Sequence, residues 1–71
     1  DLYSNLIKSY VKNNGSIKKC ADELFVHKNT IQYRLNKLAA ITGYNPRNIN
    51  DLIRLYIGFM ITNTDWFILK Q

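Results

Sequence analysis

Apolar residues recur at helical intervals four times along the chain, and residues suited to ending a helix close each of the first three runs. Leu2, Leu6 and Tyr10, with Ile7 and Val11 beside them, leave Lys8, Ser9 and Lys12 outside and predict a helix over 2–12. Asn13-Asn14-Gly15 ends it, because Asn and Gly tolerate the left-handed backbone that closes a helix. Ser16 is placed to cap a second helix through its hydroxyl, with Ile17, Cys20, Ala21 and Leu24 on the inner face. Ala21 is small enough to let two closely joined helices approach. Phe25 and Val26 form the turn, and His27 stands at the next cap position. Val26 and Ile31 have the N′-to-N4 spacing of a hydrophobic staple. The third helix turns Ile31, Leu35 and Leu38 inward and Asn29, Tyr33 and Asn36 outward, and Thr42-Gly43 stops it.

The fourth run differs. From a cap at Asn48 to about Ile61, Leu52, Leu55, Tyr56, Phe59 and Met60 form one apolar stripe and Ile53, Ile57 and Ile61 a second. A helix apolar nearly all round must be covered on more than one side. Three short helices can cover one stripe. The candidate surface for a second copy or another partner is therefore Ile53, Ile57, Phe59 and Ile61, with Trp66 and Phe67 of the tail. The tail, 62–71, either folds back over the fourth helix or meets another chain. The expected fold is all-α, a compact bundle of four helices (five if the tail adds one), with one domain over 1–61.

Seventy-one residues make one small domain, and a hydrophobic share of 46% argues against disorder. No apolar run approaches the ~20 residues that span a bilayer, so no membrane partner is expected. No signal peptide is visible, and the start at Asp1 fits a fragment from the end of a longer protein. One cysteine and one histidine cannot build a metal site, and Cys20 reads as a small buried hydrophobe. Neither a metal nor another cofactor is expected. The lone cysteine also fits a cytoplasmic setting.

Charge changes the picture by its position. Lys8, Lys12, Lys18, Lys19, Lys28, Arg34 and Lys37 face only Asp22 and Glu23 between residues 8 and 37, so this segment carries the whole net charge of +5. A basic surface confined to one part of a small domain suits phosphate attraction. The third helix has the diameter to lie in a major groove with its polar face toward base edges. An enzyme is disfavoured: the chain shows no Ser-His-Asp set and no Gly-rich phosphate loop, and Asp22 and Glu23 point apart on a helix surface.

The string Ala21-Asp22-Glu23-Leu24-Phe25-Val26-His27-Lys28-Asn29-Thr30, then Tyr33-Arg34-Leu35 and Thr42-Gly43, resembles the C-terminal helix-turn-helix of PucR-type transcriptional regulators. More broadly it is similar to the Fis-type helix-turn-helix. The general pattern prefers Gly where Phe25 stands, while a bulky residue there is normal for the PucR-like form. The resemblance covers about Leu2 to Ile61 and leaves the tail without a counterpart.

It implies a bacterial regulator that binds double-stranded DNA as a nucleoid-associated protein, with an upstream sensor domain and a homodimer over a two-fold site. Fis-like geometry implies base contacts from Lys28, Asn29, Gln32 and Tyr33, since Asn and Gln can pair with adenine and Lys can reach guanine. It assigns phosphate contacts to Ser16, Lys18, Lys19, His27, Thr30, Arg34 and Lys37. Several have competing uses: Thr30 within the first turn, Tyr33 in packing, Arg34 in bracing the helix beside Ile31. A protein-interaction module built on the fourth helix and tail is the alternative function.

Overall fold

The computed structural model describes residues 2–69, and side chains as far as Ile61. Four helices follow one another: α1 (Leu2–Lys12), α2 (Ile17–Leu24), α3 (Lys28–Thr42) and α4 (Ile49–Leu69). No strand occurs among the described residues, as an all-α fold requires.

Local chemistry sets the ends. Asn14 and Gly15 both adopt positive φ, and the Gly15 amide donates to the Tyr10 carbonyl at 2.8 Å, closing α1. The Ser16 Oγ accepts from the Lys19 amide at 3.2 Å and starts α2. Gly43, at φ 77°, closes α3 by donating to the Ala39 carbonyl. The Asn48 side chain accepts from the Asp51 amide at 3.1 Å and starts α4.

The core gathers Leu6, Ile7 and Tyr10 of α1, Cys20 and Ala21 of α2, Ile31, Leu35 and Leu38 of α3, and Leu55 of α4. Val26 packs against the same cluster as Ile31, as a staple should. Cys20 is fully buried. The outer rim of α1 departs from the sequence pattern in two places. Leu2, at the helix start, is half exposed. Ser9, placed outside by the pattern, is buried, and its polar groups are satisfied by the Asn13 amide, which donates to its carbonyl and to its Oγ.

α4 packs against α1, which in turn packs against α2 and α3. One neighbouring helix covers one stripe. Leu55 is buried, and Leu52, Tyr56 and Phe59 lie partly buried against the core. Ile49, Ile53, Ile57 and Ile61 stay exposed. This corrects the placement of Phe59 on the partner surface, because it shares the covered face with Leu52 and Tyr56. Met60, assigned to the covered stripe, is exposed instead. α4 also continues past Ile61 to Leu69. Thr62, Asn63, Thr64 and Asp65 are weak helix formers, but none is a breaker. The expected contacts of Trp66 and Phe67 lie outside the described side chains.

Candidate nucleic-acid interface

Only Ile31, Leu35 and Leu38 of α3 are fully buried, at i, i+4 and i+7. So narrow an inner stripe leaves most of the helix circumference free. Lys28, Asn29, Gln32 and Tyr33 are all exposed, and they fill two adjacent positions in each of the first two turns. Tyr33 is 60% exposed, on the outward face and outside the core. The Lys37 ammonium lies 5.8 Å from the centre of the Tyr33 ring, within cation–π range, so the two side chains are held as a pair. Thr30 and Arg34 are half-buried beside Ile31, at the edge of the polar face.

The start of α3 is built by His27. Its Nδ1 accepts from the Asn29 amide at 3.0 Å, and its carbonyl accepts from the Thr30 amide at 2.9 Å. With Nδ1 an acceptor, the neutral ring carries its proton on Nε2 and turns a donor toward solvent. At the start of α2, the Ser16 Oγ is committed to capping, yet its hydroxyl hydrogen can still be donated outward. Lys18 and Lys19 follow it, both exposed.

Tertiary contacts alter the charge map in two places. The Lys12 ammonium meets the Glu23 carboxylate at 2.7 Å, tying the end of α1 to the end of α2. The hydrogen bond from Lys12, helped by one from Ser9, holds the Glu23 carboxyl below its ordinary value. That pairing withdraws Lys12 from the free positive field.

Arg47 moves the other way. Its Nη1 donates to Asn36 Oδ1 at 2.9 Å, bringing a guanidinium from the α3–α4 loop onto the outward line of α3. The loop is braced: Pro46 is buried, Asn45 Oδ1 accepts from the Arg47 amide at 3.0 Å, and Asp51 Oδ2 accepts from the Asn45 amide at 3.0 Å. Sequence reasoning missed Arg47, since nothing local to Asn45-Pro46-Arg47 points back eleven residues to Asn36. The other ion pair among the described residues, Arg54 with Asp51, lies on α4 away from α3.

No cluster of three or more His, Cys, Asp or Glu suited to a metal exists among the described residues. Nor is any helix, among those residues, long and apolar enough to cross a membrane.

The family described as the PucR C-terminal helix-turn-helix domain matches residues 4–61. An uncharacterised protein of Haemophilus influenzae is 42% identical over 60 residues, 84% of this chain and 16% of the relative. The carbohydrate diacid regulator of Escherichia coli is 28% identical over 60 residues, 84% of this chain and 16% of the regulator. The proline-responsive transcriptional activator PutR of Bacillus subtilis is 29% identical over 55 residues, 78% of this chain and 13% of the activator. The chain thus spans about a sixth or less of the length of these three relatives. No solved structure matches.

Proposed function

The chain belongs to the PucR C-terminal helix-turn-helix family, a DNA-binding family of transcription regulators and not of enzymes, and from that premise we propose that α3 reads sequence in the major groove. The observation that carries this reading is the exposed polar face of α3 beside cations that, among the described residues, form no ion pair with a carboxylate. In it, Lys28, Asn29, Gln32 and Tyr33 address base edges. Ser16, Lys18, Lys19, His27, Thr30, Arg34 and Lys37 address the phosphates on either side, joined by Arg47 from the α3–α4 loop. The domain then acts on chromosomal DNA in the bacterial cytoplasm, while the remainder of a longer parent protein holds the sensing part.

Selection of bound sequences from a random duplex pool tests the reading. Enrichment of one motif is expected. Absence of duplex binding at low salt, by a folded chain, would sink it.

The exposed Ile49, Ile53, Ile57 and Ile61 favour a second reading that coexists with the first: two copies meet along this stripe. Each copy presents one α3, and a two-fold pair would place two of them on half-sites roughly 34–36 Å apart. Ile57→Asp should convert a dimer to a monomer in sedimentation while the helical fold is kept, with the melting temperature lowered only by the stabilisation that association supplied. Phe59→Asp is not an equivalent test, because it also disrupts the core. A monomeric unmodified chain would assign the stripe to another part of the parent protein instead.

A further inference from the structure

Phe25 is a residue for whose side chain the fold shows no use. Its backbone lies at φ 58° and ψ 43°, in the left-handed region where a Cβ is costly and Gly is the usual occupant. The conformation itself is required. The Phe25 amide donates to the Ala21 carbonyl, and the Val26 amide donates to the same oxygen at 3.0 Å, ending α2 so that α3 can start at Lys28. The benzyl group is not required by that turn, and it stands 93% exposed. A bulky aromatic in water on a strained backbone lowers stability on two counts, and such strain tends to collect at functional positions.

Its position narrows the use. Three Cα–Cα steps lead from it to Lys28, so the two Cα atoms are at most ~11 Å apart. His27, the cap with its outward Nε2, stands between them. The ring therefore sits beside the first turn of α3. It is not part of the isoleucine stripe, since α4 packs on α1 rather than on α2 or α3. Duplex DNA offers two kinds of apolar surface outside its base stack: the faces of the deoxyriboses and the thymine methyl in the major groove.

We infer that Phe25 is a DNA-contact residue whose ring packs against sugar faces or a thymine methyl at the edge of the groove that α3 enters. The inference rests on the reading of α3 as the groove-bound helix. It adds a neutral, apolar contact to an interface otherwise built from charges and amides. Stability is given up at Phe25 in exchange for that contact.

Two variants of the 71-residue chain test it against the duplex enriched from the random pool. Phe25→Gly should raise the melting temperature by about 4 °C, because relief of the left-handed strain exceeds the entropy that Gly adds to the unfolded chain and no packing is lost. It should also weaken duplex binding about tenfold and leave the salt dependence unchanged, because a neutral ring displaces no counterions. Phe25→Tyr keeps the ring and should bind as the unmodified chain does.

Unchanged affinity in Phe25→Gly, with duplex binding intact, would overturn the inference and leave the α3 reading standing. A fall in melting temperature of more than about 8 °C, beyond what the added freedom of Gly in the unfolded chain accounts for, would overturn it by showing that the ring has a folded partner. A changed salt slope would overturn it by showing that Phe25 acts through the neighbouring cations. Absence of duplex binding by the unmodified, folded chain would remove the α3 reading itself, and the inference with it.

Discussion

Salt should separate the cations that face DNA from those that do not, and Lys37 and Lys12 provide the contrast. Both are lysines at exposed positions, but Lys12 is held at 2.7 Å by Glu23, whereas Lys37 lies over Tyr33 on the polar face of α3. Lys18, Lys19, Arg34, Lys37 and Arg47 are the cations assigned to phosphates. If each displaces one counterion, the logarithm of affinity should fall against the logarithm of salt with a slope of about −4.5. Raising salt from ~50 to ~200 mM would then cost about 500-fold in affinity. Lys37→Ala should reduce the slope to about −3.6 and the loss to about 150-fold, and Lys12→Ala should leave both unchanged. Fluorescence anisotropy on a labelled duplex across a salt series measures all three proteins. A slope shallower than about −2 for the unmodified chain would show that most of these cations do not meet phosphates. Equal effects of the two substitutions would show that the Glu23 pairing does not shape the field.

Other outcomes follow from the same structure. His27→Ala removes the acceptor for the Asn29 amide and should cost about 1 kcal/mol, or about 4–8 °C in melting temperature, while His27→Asn should retain most of it; an unchanged melt for His27→Ala would refute the cap. Glu23 ionises more readily in the folded chain than in the unfolded one, so its pairing supports the fold above the ordinary glutamate value of 4.5 and is lost as pH falls through the lowered one. Thermal melts from pH 7 to pH 3 should therefore show a shallower decline for Glu23→Gln, and identical profiles would contradict the assignment. Leu35 is fully buried, so Leu35→Ala should lose about 2–5 kcal/mol from a total of about 4–10 for a chain of this size. Urea denaturation measures that loss, and a change below about 1 kcal/mol would mean the core collapses around the gap.

Much of the fold was legible because it is set by neighbours in sequence. Ser16, His27 and Asn48 cap helices by reaching two or three residues forward, and Asn14, Gly15 and Gly43 end them through their own backbone freedom. Ile31, Leu35 and Leu38 announce the inner face of α3 by spacing alone, which also identifies the outward residues. The candidate interface was legible to the same extent, as a list of side chains on the outer face of α3 and at the starts of α2 and α3. Its charge balance was not, because Lys12 and Arg47 acquire their partners eleven residues away.

By itself, then, the sequence determined the helices, their caps, the outward face of α3 and the excess of apolar surface on α4, all of which follow from interactions within a few residues or from helical period. Only tertiary structure decided which stripe of α4 the core takes up, packing Phe59 partly against it and leaving the isoleucines exposed. It also neutralised Lys12, brought Arg47 to Asn36, and left the ring of Phe25 in solvent. Each of these depends on which helices lie side by side, and a periodic pattern does not encode that: period marks which faces of a helix are apolar, while packing chooses which of them a neighbour will cover.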